Sequence, residues 1–344
     1  MKKRLLAMLM TGAMVASLAA CGGGSSTPAG GDTQKDGGNK AGTTSGCSVD
    51  VILKTTASEY WSYVKAGAEA YSKDNPDVKV EVKGATSETA YDEQQNMIET
   101  DLNSGAYDAF VIAPLQADLV KTLIAGQTAP IVAVDTNIDA PEVLSFVGTG
   151  NEDAAAEGGK AAVEAAKAAG WDKVQAIAIS GVQGDGTATA RLTGYEKGVT
   201  EAGGEFLKDE IQYADAVADK AATSMEAIMQ NHPEGVAIIV CNNDDMALGA
   251  INALSNAGYN LAGGEGCTVI PVFGVDATDA AKELIANKQM TGSIKQDAEG
   301  MADAVATITA NLIEGKDKFE GLNENYEVVD GWTVNIPYSV YTGE

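Results

Sequence analysis

Four consecutive polar side chains, Asn242-Asn243-Asp244-Asp245, stand between an apolar run, Val236-Ala237-Ile238-Ile239-Val240, and a segment with helical spacing through Leu254. The apolar run reads as a buried parallel strand. Amides and carboxylates are therefore collected where a strand hands over to a helix, the edge at which open α/β sheets bind small ligands. The same residues could simply cap the helix, because Asn and Asp oxygens accept from its free N–H groups. Capping needs one of them, and four exceed the need. Other strand ends repeat the pattern: Lys54, Thr55, Ser58 and Tyr60-Trp61 after the first strand, Asp135-Thr136-Asn137 after 130–134, a Gly181–Gly186 loop followed by Arg191, and then Asp276 and Gln296. Carboxylates, amides and a guanidinium beside an aromatic face suit a neutral polyhydroxylated ring. Asp and Asn pair with adjacent hydroxyls, Arg donates in a planar fork, and Trp covers the C–H face.

The elements that must position these groups alternate along the chain. Strands are expected at 49–53, 78–82, 108–113, 130–134 and 144–148, with helices at 60–73, 88–102 and 117–125 between them. The pattern then restarts with a helix at 153–169 and strands at 174–179, 205–213, 236–240, 268–275 and 291–294. Repeated βα units imply parallel sheets covered by helices on both faces. Two such runs imply an α/β protein of two doubly wound, Rossmann-like lobes.

The chain has 344 residues, with 23 Lys+Arg against 49 Asp+Glu and a formal net charge of −26. That balance repels nucleic acid and anionic membrane surfaces. Residues 1–20 read as an export signal, with a basic Lys2-Lys3-Arg4 start and an apolar stretch from Leu5 to Ala20. Leu18-Ala19-Ala20-Cys21 resembles the lipobox of bacterial lipoproteins, which implies cleavage before Cys21 and lipidation of that residue, a protein anchored on the extracytoplasmic face of the cell membrane. Residues 22–46 contain nine glycines and no large apolar side chain, which makes a flexible tether with a reach of about 25–30 Å. Of the four cysteines, Cys47, Cys241 and Cys267 remain. Cys241 ends one strand and Cys267 begins the next, so neighbouring parallel strands put them at opposite edges and free thiols are expected. No spacing suggests a metal site, and His232, in Asn231-His232-Pro233, reads as a helix end.

Over residues 47–344 the chain resembles the ribose- and galactose-binding family of ABC-transporter solute-binding proteins. The motifs are VDTNID at 134–139, ARLTGYEKG at 190–198, CNNDDMALGA at 241–250, PVFGVDAT at 271–278 and GSIKQDAEG at 292–300. NDDMALGA together with GVDAT is the specific pair. The resemblance implies a type I periplasmic binding protein, one lobe being 47–149 with 298–334 and the other 150–297 with 335–344. Hinge crossings are implied near Gly148–Asn151, Gln296–Ala298 and Asn335, with closure on a bound sugar. Carried onto matching positions, the sugar contacts would be Ser58, Tyr60, Trp61 and Asp135 from the first lobe, Arg191, Asn243 and Asp276 from the second, and Gln296 at the hinge. Ribose binders commonly place Arg where this chain has Thr136 and an aromatic where it has Ala216; Tyr213 is a substitute for that ring. The calcium loop of galactose binders is absent from the sequence. Lys54 resembles a lysine of the autoinducer-2 receptors in the same superfamily, which lack the NDDMALG pattern.

Three classes of function follow. A solute-binding lipoprotein of an ABC importer needs an export signal, a cleft of sugar-binding groups and no catalytic constellation, and has a monosaccharide or related polyol and a membrane permease as partners, with no cofactor, no metal and a monomeric state. An exported enzyme would need a nucleophile with its base, and the chain has one His and no GxSxG elbow. A sugar-responsive repressor would begin with a DNA-reading helix pair where this chain has the lipobox and tether. A receptor feeding a sensing pathway, for autoinducer-2 or another small polar ligand, remains as the alternative to transport.

Overall fold

The computed structural model describes residues 46–343; the expected export signal, the expected lipid site Cys21 and the expected tether through residue 45 lie outside them. The described chain runs β1 (Cys47–Thr55), α1 (Glu59–Asp74), β2 (Val78–Ala85), α2 (Tyr91–Ser104), β3 (Ala109–Ile112), α3 (Ala117–Leu123), β4 (Ile131–Val134) and β5 (Val143–Gly148). It continues with α4 (Asn151–Ala168), β6 (Gln175–Ser180), α5 (Gly186–Glu201), β7 (Glu205–Phe206), β8 (Gln212–Tyr213), α6 (Ala218–Asn231), β9 (Ile238–Cys241) and α7 (Asp244–Asn256). The last elements are β10 (Val272–Val275), α8 (Asp279–Ala286), β11 (Gly292–Gln296), α9 (Ala298–Glu314), β12 (Glu327–Val329), β13 (Thr333–Asn335) and β14 (Tyr338–Tyr341).

Two sheets result. The first has the order β12-β13-β5-β4-β3-β1-β2 and is parallel except for its outermost pair. The second has the order β14-β11-β10-β9-β6-β7, with β8 also on β6, and is parallel except where β14 runs against β11. Both contain the doubly wound pattern in which the first strand lies between the second and third, so each has a switch point whose crevice opens at the carboxyl ends of its strands. Alternation along β1 shows how both faces are covered. Val49, Val51 and Leu53 pack with Trp61, Val64 and Met301, while Ile52 faces the opposite cluster with Ile98, Phe110 and Ile112. The second sheet has its own two clusters, around Ile239 and Met246 on one face and Ile238, Val240 and Phe273 on the other.

The chain passes between the sheets three times, from β5 to α4, from β11 to α9 and from β13 to β14. Each link is one or two residues long. The helix after the first crossing is held very closely. A Cβ on Gly194 would lie 2.1 Å from the Glu152 carbonyl oxygen, and one on Gly198 1.9 Å from that of Ala156. Only glycine lets α5 press onto α4 at this distance, and the contact fixes where Arg191 emerges.

Two strands differ from their expected extents. The segment 205–213 is broken into β7 and β8 by a 3-10 turn at Lys208–Glu210, three charged residues that a sheet edge does not bury. The strand expected from 268 starts at Val272, after Pro271, which has no N–H to give to a ladder. The three cysteines of the body are free, Cys241 buried and the other two half-buried.

Candidate functional site

The carboxyl ends of the strands in the two sheets face one narrow cleft with a cavity volume of about 40 Å3, well below the roughly 300–1,000 Å3 of small-molecule sites, so the lobes must part to admit a ligand. β1 brings Lys54 and leads to Ser58, and the first turn of α1 adds Tyr60 and Trp61; β4 leads to Asp135. From the other sheet come Arg191 on α5, Asn243 after β9, Asp276 after β10 and Gln296 at the end of β11. Nine of the ten residues singled out from the sequence therefore line it. Thr136 does not: its hydroxyl donates to Asp135 Oδ2 at 3.0 Å and meets the Thr187 hydroxyl at 2.7 Å, on the wall of the wider groove outside. A larger hollow of about 340 Å3 beside Met225, Met229 and His232 lies at the amino ends of β9 and β10, the edge where open α/β sheets do not bind.

Several groups in the site are partly committed already. Asn243 caps α7, its Oδ1 accepting from the Met246 N–H at 2.9 Å, and its Nδ2 reaches the Ala216 carbonyl at 3.3 Å. Arg191 donates from Nε to Asn151 Oδ1 at 2.8 Å and from Nη1 to the Asn242 carbonyl at 2.7 Å, so a minority of its five N–H donors is used. Gln296 donates from Nε2 to Asp276 Oδ1 at 2.7 Å. Its Oε1 is buried without a partner, as is Oδ1 of Asn242, whose Nδ2 donates to the Ala188 carbonyl. Buried acceptors without donors are uncommon and call for a partner.

Lys54 is buried and bridges the two lobes, 2.9 Å from Asp185 Oδ2 and 3.5 Å from Asp135 Oδ2. Burial alone would lower its pKa, but the carboxylates of Asp185, Asp135 and Glu88 outweigh it and hold the ammonium charged. The same ion pair keeps Asp185 below the usual carboxylate range against the opposing effect of its burial. Burial pushes Asp276 well above that range, with Arg191 opposing, and burial also raises Glu88, with Lys54 opposing. Trp61 lies edge-on to Tyr60, ring centres 5.2 Å apart, with Nε1 3.4 Å from Glu88 Oε1.

The backbone at the site is strained. Asp135 has φ 62°, Ala216 61°, Asp276 115° and Ala277 51°, values that side chains bearing a Cβ rarely adopt. Such outliers cluster where a side chain must be aimed rather than merely packed.

Asn242, the first residue of the polar run at 242–245, also lines the site, as do Glu88, Asp185 and Thr187, which were not singled out from the sequence. Asp185 was legible as the one charged residue of the 181–186 loop. Glu88 follows a loop after β2, and nothing local distinguishes it from a surface acid. Asp244 is the reverse case: it is fully buried and structural, accepting from Ser293 Oγ at 2.6 Å and the Thr278 N–H at 2.8 Å. Tyr213 is exposed and is not among the residues around the cleft. Among the described residues no group of His, Cys, Asp and Glu is placed to hold a metal.

Residues 49–317 match the model of the periplasmic binding protein domain. Curated relatives include the D-ribose/D-allose-binding protein of Pseudomonas aeruginosa, 28% identical over 78% of this chain and 82% of that one. The ribose import binding protein of Bacillus subtilis is 26% identical over 81% and 84%. Among solved structures, a carbohydrate transporter solute-binding protein of Agrobacterium radiobacter in complex with D-arabinose superposes with a TM-score of 0.74 at 23% identity, over 86% of this chain and 94% of that one. An ABC transporter periplasmic solute-binding protein of Actinobacillus succinogenes with bound D-allose gives 0.71 at 22%, over 86% and 98%. The two switch-point sheets, the three crossings and the family match make this chain a member of the ribose- and galactose-type periplasmic sugar-binding proteins of ABC transporters.

Proposed function

We propose that the chain captures a monosaccharide or closely related polyol outside the cytoplasm and hands it to a membrane permease, held near that permease by a lipid on Cys21 and the glycine-rich tether. The observation that carries this reading is the cleft lined from both lobes, where Asp135, Arg191, Asn243 and Asp276 converge beside Trp61 and two buried acceptors lack donors. A ring hydroxyl supplies both a donor and an acceptor, which is what such a lining lacks.

Closure follows from the contacts that join the lobes. Lys54 to Asp185, Thr136 to Thr187, and the Asp279 N–H to the Tyr63 hydroxyl at 3.0 Å all cross the cleft. A ligand that touches both lobes favours this arrangement by its higher affinity for it, and the short crossings act as the hinge. Lys54, paired to two carboxylates, gives no separate support to the sensing alternative. A thermal-shift screen of the full chain against pentoses, hexoses, inositols and autoinducer-2 tests the reading. A sugar at about 100 times its Kd adds roughly 2.7 kcal/mol of stability. A single sugar raising the midpoint supports capture; autoinducer-2 alone raising it turns the reading to sensing; no shift from a folded sample overturns both.

A further inference from the structure

One end of the cleft has an imbalance of charge that a neutral sugar does not resolve. Four carboxyl groups, Glu88, Asp135, Asp185 and Asp276, line the cleft with two cations, Lys54 and Arg191; Asp276 is pushed by its burial toward the protonated form. Three of the four stand around Lys54: Asp185 at 2.9 Å, Asp135 at 3.5 Å, and Glu88 beside them with Trp61 Nε1 at 3.4 Å. One ammonium faces three acids, and Glu88 has no cation in contact. The two polar atoms of the lining that lack partners, Gln296 Oε1 and Asn242 Oδ1, are both acceptors and both belong to residues more than nine-tenths buried. The site therefore has buried acceptors without donors, and its Lys54 end has more carboxyl groups than cations.

Resting on the reading of the cleft as a polyol site, we infer that its ligand is a cationic aminosugar or aminocyclitol, its ammonium group seated at the Glu88, Asp135 and Asp185 end of the cleft. An ammonium carries three donors and no acceptor, and its bonds to carboxylates are charge-assisted and stronger than those of a hydroxyl. The face of Trp61 and Tyr60 covers the ring's C–H groups, and Asp276, Arg191 and Asn243 take the hydroxyls at the other end. A ligand carrying a carboxylate or phosphate meets the opposite situation, since Lys54 is already shared between two acids. The raised pKa of Glu88, caused first by its burial, fits a carboxyl without a cation; a bound ammonium draws it toward the ionised form.

The test is calorimetric titration of the full chain with matched pairs: glucosamine and glucose, galactosamine and galactose, mannosamine and mannose, and an aminoinositol with its parent inositol. The expected result is at least one amine bound tenfold or more tightly than its neutral parent. Glu88→Gln removes most of that preference, weakening the amine at least tenfold more than it weakens the neutral parent. Lys54→Met widens the preference, because three acids then share no cation. A neutral parent bound as tightly as its amine in every pair overturns the inference and leaves the sugar-capture reading standing. No binding of any amine by folded protein also overturns the inference, and the capture reading falls only if the thermal screen with pentoses, hexoses and inositols fails as well.

Discussion

Asp276 allows ligand binding and stability to be separated in one substitution, Asp276→Gly. Its φ of 115° lies where residues with a Cβ are strained, at a cost of order 1–3 kcal/mol. Glycine removes that strain and the desolvation of a carboxyl held well above its usual range by burial. Against this stand the hydrogen bond from Gln296 at 2.7 Å, a net contribution of about 1 kcal/mol, and the larger entropy of an unfolded glycine, roughly 0.5–1 kcal/mol. The terms nearly offset, so stability changes by no more than about 1 kcal/mol, a Tm shift of roughly 3 °C for a body of this size. The sugar loses a carboxylate that bonds two hydroxyls at roughly 1.5–3 kcal/mol each, which corresponds to about 10²–10⁴-fold in Kd. Calorimetric titration with the sugar found in the thermal screen, and scanning calorimetry of the free variant, measure both. Affinity within tenfold of the parent protein refutes the role of Asp276 as a ligand group. A Tm lower by 8 °C or more refutes the strain argument while leaving that role intact.

Changing Cys21 to Ala moves the protein from the membrane fraction to the soluble extracytoplasmic fraction; persistence in membranes means the lipid is not the anchor. Gly198→Ala places a methyl group against the Ala156 carbonyl and destabilises by roughly 3 kcal/mol, the upper end of overpacking costs. It also weakens binding by displacing α5 and with it Arg191; an unchanged Tm shows that the two helices can separate freely. Stability also depends on pH through Asp244, whose carboxyl is pushed up to about 7, first by its burial. A group protonated more readily in the folded state stabilises it at low pH and loses that contribution as pH rises from about 4 to about 7, by at most about 1.4 kcal/mol per pH unit. Asp244→Asn flattens that slope in calorimetry across the window, and identical slopes for the two proteins would falsify the assignment.

Lys54, Asp135, Asp276 and Gln296 were legible because each sits at a strand end, and strand periodicity is the strongest signal in the chain; Arg191 lies on the helix that follows the 181–186 loop. Thr136 was misplaced by one layer: it follows the same strand as Asp135, but the left-handed turn at Asp135 carries the next side chain outward to Thr187. Asn243 shows both readings at once, since the cap and the cleft use different atoms of one amide. Glu88 becomes visible only when the second lobe is brought opposite the first. Pairing across a cleft is a property of tertiary geometry, and no local pattern encodes it. The breaks at 208–210 and before Val272 follow from charge and proline that were present in the sequence, set against apolar neighbours that suggested longer strands.

The final crossing has a consequence for how the molecule is made. The first sheet includes β13 at Thr333–Asn335, and the second ends in β14 at Tyr338–Tyr341. Neither lobe is a continuous piece of chain, the first being complete only with β13 and the second only with β14. Each must close contacts over nearly its whole span, which raises contact order and slows folding. A nascent chain of this kind stays unfinished while it grows, and a truncation of its last ten residues leaves both a missing hinge link and an uncovered β11 edge open to pairing with another chain.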